Sequence, residues 1–334
     1  IDIVVVFGII ASITTSLGLA VPVMSKLIAQ VFGIADGTGL RILVFVIWFC
    51  IFGWSVFRGL DRGIKQLTNL NMWIIFLFLL VMAVLFPFSH ICEMELNSIG
   101  LYIEKLPRMI FNTDPFGNQK FVHNWTLFYW GWWLSFLPIM GIFIAKVSRG
   151  RTLKQVILGQ MVYGSLGCCS FLALLGGYSL YLQHNHIVDL VSILQTQGNA
   201  GVVYAILRTL PWSTIWIVLL IVLCFVFLAT TIDSTALVLG LASCKKLDPE
   251  KDPHLFNRFS WAIAVFAIAI GLTFVGGLEL IQKFAIVLGF PLIFIVFLIT
   301  ASVLKAMKED YGDMDAQEII AHCQICRKEG NKYE

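Results

Sequence analysis

Long apolar runs separated by short polar connections dominate the pattern along this chain. About 20 consecutive apolar residues are enough to cross a bilayer as a helix, and eight runs approach or exceed that length. This pattern predicts an all-α integral membrane protein with eight spanning helices. The runs cover residues 3–31, 41–57, 70–89, 124–146, 153–182, 211–240, 258–277 and 280–305.

Two further segments have a mixed pattern, which predicts helices that lie at the membrane interface. In residues 96–112, apolar positions at helical spacing are interrupted by Glu104, Lys105 and Arg108. Such a segment is amphipathic, and it is too short and too charged to span. Residues 188–208 show a similar and weaker pattern.

Composition and charge support a membrane protein and predict its orientation. The chain is 59% hydrophobic and only 13% charged, whereas soluble domains carry about 25% charged residues. One set of alternate connections, with the tail, holds 16 of the 23 Lys and Arg residues, and the opposite set holds six. Because basic residues are retained on the cytoplasmic side, we predict that residues 307–334 form a polar cytoplasmic tail and that residues 90–123 are external.

The start of the chain and its cysteines add two expectations. An apolar helix follows Ile1 directly, without a signal-peptide pattern, so we expect a fragment that begins inside a longer protein. The pair Cys323 and Cys326 beside His322 is half a zinc site at most. The chain contains no HExxH, P-loop, GxSxG or GxGxxG motif in a suitable context. We therefore expect no enzyme activity, no cofactor, no metal site and no nucleic-acid partner.

Residues 124–146 carry the strongest candidate for binding chemistry. Five large side chains recur at steps of four, three, four and four, which places them on one face of a helix, with a sixth beside it. Aromatic faces attract cations, most strongly bulky and weakly hydrated ones such as a quaternary ammonium. The alternatives are an interfacial aromatic belt for the first residue and ordinary helix packing for the rest. Gly131 and Pro138 would permit a kink. The six residues are Trp125, Tyr129, Trp132, Trp133, Phe136 and Met140.

Polar residues within or at the ends of spans are a second set of candidates. Lys65 precedes the third span, where it could also extend to the interface as an ordinary end residue. Thr230 and Thr231 accompany Asp233 in FLATTIDSTAL. Their hydroxyls could ligate Na⁺, a hard cation that prefers oxygen, or could bond back to the preceding helical turn.

The stretch WTLFYWGWWLSFLPIMGIFIAKVSRGRT closely resembles the signature of the betaine/carnitine/choline transporter family. SLGLAVP, RGLDRGIK with LTNLNM, LPRMIFNTDPFG and LATTIDS agree with this resemblance, which extends from residue 1 to about 306. It implies twelve spans, in which two leading helices precede two inverted five-helix repeats of the amino-acid-transporter (LeuT) type. Residues 1–89 would be the last three spans of the first repeat, and residues 124–306 the five spans of the second.

The resemblance also implies roles and partners. Trp132 and Trp133 would belong to a central tryptophan box, completed by helices from four upstream spans that are absent here. Trp125, Tyr129, Phe136 and Met140 would line an outer site. Residues 90–123 would form an external amphipathic helix and loop, in which residues 96–112 would be the curved helix that the family uses in homotrimer contacts. The protein would be a multi-pass protein of the bacterial plasma (inner) membrane and would carry glycine betaine, carnitine, γ-butyrobetaine or choline.

The coupling ion stays open at this point. Thr230 and Thr231 match sodium-ligating hydroxyls of Na⁺-coupled betaine carriers in the family. Lys65, in GLDRGIK, falls on a fixed arginine of the Na⁺-independent carnitine/γ-butyrobetaine antiporter, and Met140 matches a methionine of that antiporter's outer site. We expect Na⁺-independent exchange, with Lys65 as a cationic substitute for sodium. The alternatives are a Na⁺-coupled betaine symporter, an amino-acid carrier of the same fold, and an osmosensing receptor or channel.

Overall fold

The computed structural model describes residues 2–58, 65–117, 121–148, 151–244, 253–275, 277–312 and 314. Every regular element in these ranges is helical, as the apolar runs predict. The α-helices are α1 Asp2–Phe32, α2 Thr38–Arg58, α3 Lys65–Leu85, α4 Phe88–Phe111, α5 Phe128–Val147, α6 Leu153–Leu158, α7 Ser165–His184, α8 Leu190–Arg208, α9 Ser213–Ala242, α10 Leu255–Val275 and α11 Gly277–Tyr311.

In the described ranges, nine helical segments are long and apolar enough to cross a membrane. Eight of them correspond to the predicted spans. The ninth is α8, which the sequence assigns to the interface and which is the least apolar of the nine. Gly198 has φ of 68° and ψ of −171° and breaks α8 into two shorter pieces, a conformation that glycine adopts without a Cβ clash. Because neither piece reaches about 17 residues, the break favours the interfacial assignment.

The boundary between α3 and α4 lies earlier than the sequence predicts. The span predicted for residues 70–89 ends at Leu85, and α4 already begins at Phe88. Pro87 is the residue that precedes α4. A proline has no backbone N–H and disfavours a helical conformation in the residue before it, so it separates two helices well. The amphipathic helix predicted from residue 96 therefore begins eight residues earlier, at Phe88, which is about two helical turns.

The core of the bundle is α1, which packs against α5, α8, α9, α10 and α11 as well as α2. More than half of the residues of α1 are buried. Gly18 permits the close approach of α11, since a Cβ at this position would overlap the side chain of Ile281. Small residues at such contacts are how helices associate closely in membranes.

The helix α5 is seated on α11 by a direct backbone contact. A Cβ at Gly131 would lie 2.9 Å from the Cα of Ile286, and a Cβ at Gly289 would overlap the carbonyl oxygen of Gly131. The α-helix runs without interruption through Gly131 and Pro138. No unwound turn interrupts α5 at these residues, and Gly131 allows two helices to touch.

π-Helical turns are present at two places that the hydrophobic pattern does not reveal. Val122–Leu127 forms one directly before α5, and Gly159–Gly164 joins α6 to α7. The carbonyl of Asn124 accepts a hydrogen bond of 2.8 Å from the side-chain amide of Gln282 on α11. This bond joins the π-helical turn before α5, which carries Trp125, to α11.

Candidate functional site

A cavity of about 500 Å³ lies between α1, α5 and α9. Its α5 wall consists of Trp132, Trp133, Phe136 and Met140, four of the six residues predicted to bind substrate. The other walls include Ser16 and Val23 from α1, and Phe227, Leu228 and Thr231 from α9. This volume is within the usual range for a small-molecule site.

The α5 wall is a continuous set of ring contacts centred on Trp132. The centroid of its ring lies 6.1 Å from that of Trp133 and 6.0 Å from that of Phe136. Its indole N–H donates a hydrogen bond of 3.1 Å to the carbonyl of Ser12 on α1. The bond fixes the orientation of the indole ring relative to α1.

Trp125 and Tyr129 continue the row of rings but do not line the cavity. Their ring centroids lie 6.0 Å apart, and Tyr129 lies 5.8 Å from Trp132. The split implied by the family resemblance places Phe136 and Met140 with these two residues, whereas the cavity places them with Trp132 and Trp133.

Phe128 was not predicted from the sequence as a site residue, but it supports the α5 wall. It is fully buried, and its ring stacks on that of Trp132 with centroids 5.5 Å apart and an angle of 10° between the planes. Its position four residues before Trp132 is the spacing at which helical side chains meet. This spacing in the sequence could have identified Phe128 as a residue that supports Trp132.

The predicted ion-site hydroxyls meet at one backbone carbonyl. Thr230 and Thr231 donate hydrogen bonds of 2.7 and 3.2 Å to the carbonyl of Phe227. This is the back-bonding alternative that the sequence left open. It also brings three oxygen atoms together on one turn of α9, and the hydroxyl lone pairs remain able to accept a cation. Of the two threonines, Thr231 lines the cavity.

Asp233 is engaged on the opposite side of α9 from the cavity. It is completely buried, accepts a hydrogen bond from the hydroxyl of Ser55 on α2, and lies 3.4 Å from the guanidinium of Arg258 on α10. Arg258 is one of the 16 cations that the charge pattern assigns to the cytoplasmic side, and its side chain is buried in this pair. Without Arg258, the connections assigned to the cytoplasmic side still hold more Lys and Arg residues than the opposite set.

Two predictions concern side chains that the structure does not describe. Lys65 is the first residue of α3, and its side chain is outside the described part. Cys323 and Cys326 belong to the tail, beyond the described residues. Within the described ranges, no group of three His, Cys, Asp or Glu side chains is placed to hold a metal ion.

Membrane-length helices around a cavity walled by aromatic rings are typical of an integral membrane protein that binds a small molecule. The sequence model described as "BCCT, betaine/carnitine/choline family transporter" matches residues 1–312. The chain belongs to the betaine/carnitine/choline transporter family, which confirms the resemblance found in its sequence. Members of this family are secondary transporters of betaine-, carnitine- and choline-type compounds and are not enzymes.

Proposed function

We propose that the cavity between α1, α5 and α9 holds a quaternary-ammonium substrate that the protein transports by alternating access. The candidates are glycine betaine, carnitine, γ-butyrobetaine and choline. The observation that supports this proposal most is the convergence of Trp132, Trp133, Phe136 and Met140 on one cavity. Each well-placed aromatic face stabilises a cation by about 0.5–2 kcal/mol.

The chemistry of the lining favours an onium over an amino acid. None of the residues that line the described cavity carries a charge. A primary ammonium is strongly hydrated and needs hydrogen-bond acceptors to replace its water. A trimethylammonium group needs none, since its methyl groups pack against rings and the Met140 thioether. An amino-acid carrier is therefore the weaker alternative.

Na⁺-independent exchange is the coupling that we propose. It rests on Lys65 as a tethered cation and on Met140, which lines the cavity. The second candidate is Na⁺-coupled symport, and a specific observation favours it: the oxygen atoms of Phe227, Thr230 and Thr231 meet on one turn of α9.

Counterflow into proteoliposomes tests both parts of the proposal. Vesicles preloaded with unlabelled substrate should accumulate labelled glycine betaine, carnitine or choline, with and without a Na⁺ gradient. Accumulation that strictly requires Na⁺ would contradict exchange and support symport. The absence of counterflow for every onium would contradict a carrier, because a channel shows none.

The proposed setting is a homotrimer in the bacterial inner membrane, with the tail in the cytoplasm. The helix α4 supports trimer contacts, because its apolar residues Leu96, Ile99 and Ile103 are exposed along one continuous helix. Mass measurement of the detergent-solubilised protein should give three copies of the chain. A monomer with the α4 sequence intact would contradict the assembly.

A further inference from the structure

The buried ion pair between α9 and α10 lies directly behind one wall of the cavity. One carboxylate oxygen of Asp233 accepts from Ser55, and the other lies 3.4 Å from a terminal nitrogen of Arg258. Asp233 is fully buried and Arg258 is 4% exposed. Charges are costly to bury within a membrane span, and those that occur there usually have a functional partner.

A second polar contact anchors α9 to α2 at another level. The indole N–H of Trp48 donates a hydrogen bond of 3.2 Å to the carbonyl of Phe225. Trp48 and Ser55 are separated by about 10 Å along α2, and Phe225 and Asp233 by about 12 Å along α9. The two contacts therefore hold the helices side by side and in the same direction.

The cavity-lining turn of α9 lies between these two anchors. Of the four α9 residues that line the cavity, Phe227, Leu228 and Thr231 lie between Phe225 and Asp233, and Cys224 directly precedes Phe225. Asp233 is two residues beyond Thr231, about 200° around the helix axis. Any slide or rotation of α9 that displaces Phe227 and Thr231 must therefore stretch a contact at Asp233 or Phe225.

We propose that Asp233 and Arg258 are positioning residues for the substrate cavity. They contact no substrate, and they act by fixing the axial position and rotation of the turn that carries Phe227 and Thr231 against the aromatic wall of α5. The inference rests on the proposed onium site. Residues that contact a ligand bind it well only when neighbouring residues hold them in the correct position.

Gly240 shows that the arrangement of Arg258 depends on close packing of the α9–α10 pair. A Cβ at Gly240 would lie 3.0 Å from Pro253 and 3.5 Å from the Cγ of Arg258. Nearby, the amide of Asn257 donates a hydrogen bond of 3.3 Å to the carbonyl of Gly240. The aliphatic stem of Arg258 is thus packed where the end of α9 lies close to the start of α10.

The test separates substrate affinity from stability in the purified chain. Asp233→Asn and Arg258→Gln should each raise the Kd for choline or glycine betaine about fivefold or more, because small displacements at a site have large effects. The double variant D233N/R258Q should return to within about twofold of wild type, since no unpaired charge is left. The Kd is measured by isothermal titration calorimetry, beside the unfolding midpoint. Lys283→Gln, which breaks an exposed ion pair on α11, is the matched control and should bind normally.

Milder variants keep the proposal testable if the charge variants do not fold. Arg258→Lys and Ser55→Ala should each raise the Kd about twofold or more, since both weaken the same contact. A lower unfolding midpoint with an unchanged Kd in the folded variants would show a merely structural role and overturn the proposal. A wild-type protein that binds no onium would overturn the proposed function, and this inference with it.

Discussion

The two walls of the cavity, α5 and α9, are held in place by different interactions. The helix α5 rests on α11 through the backbone contact of Gly131 and Gly289. The helix α9 is anchored from behind by the side chains of Trp48, Ser55 and Arg258. The aromatic wall therefore depends on the absence of side-chain atoms at its contact, whereas the α9 wall depends on the presence of a charged pair.

The largest effect on stability should come from breaking the charged pair. Arg258→Gln leaves Asp233 buried and uncompensated, which should reduce the free energy of unfolding by about 3–5 kcal/mol. Thermal unfolding in detergent measures the change, and D233N/R258Q should recover most of the loss. If the single and double variants unfold at the same temperature, the pair does not anchor α9.

A smaller loss should follow from adding one methyl group between α5 and α11. In Gly289→Ala the new Cβ overlaps the carbonyl of Gly131, so that the helices must separate, at a cost of about 1–3 kcal/mol. Gly141→Ala is the matched control on α5, because nothing lies within 4 Å of its position. Equal unfolding temperatures for the two alanine variants would show that the glycine contact does not hold this wall.

Removing one ring from the aromatic wall should affect affinity more than stability. Trp133→Ala should weaken onium binding by roughly two- to thirtyfold, the contribution of one cation–π contact. Trp133 is 57% exposed, so few packing contacts are lost. The control is Trp130→Ala, which removes an exposed ring outside the cavity and should bind as wild type does. Isothermal titration calorimetry measures the affinity of both variants for the onium compound. Equal losses of affinity in the two variants would contradict the assignment of this cavity as the binding site.

The smallest effect should come from the single polar bond that ties α5 to α1. Trp132→Phe keeps a ring in the wall but removes the indole donor to Ser12, so that stability should fall by about 0.5–1.5 kcal/mol. The unfolding midpoint is measured beside that of Trp133→Phe. Within the described chain, the Trp133 indole forms no such bond. A larger loss in Trp133→Phe would show that the Trp132 bond adds nothing.

The helices and the aromatic face could be predicted from the sequence because both follow simple periods. A bilayer sets the length of each span, and the helical repeat places Trp132, Phe136 and Met140 on one side. The same repeat also included Trp125 and Tyr129, since a face extends along the whole helix. The α5 wall, from Trp132 to Met140, covers only about 12 Å of that face.

The partners of the candidate residues could not be predicted in the same way. Arg258 stands at the start of a span, where a cation ordinarily reaches water, and only the packing of α9 on α10 buries it beside Asp233. The carbonyl of Phe227 carries no side-chain signal, yet it collects both threonine hydroxyls. Such contacts depend on how helices pack against each other or on backbone geometry, and neither leaves a pattern in a single sequence.

The central claim is that the cavity between α1, α5 and α9 recognises a positive charge by its aromatic rings. Calorimetric titration with choline and with its neutral isostere 3,3-dimethylbutan-1-ol tests this most directly. The wild-type protein should bind choline about tenfold or more tightly than the isostere, from two or more ring contacts. The double variant W132A/W133A should lose most of that preference. Equal binding of the two compounds by the wild type, or an undiminished preference in the variant, would contradict the claim.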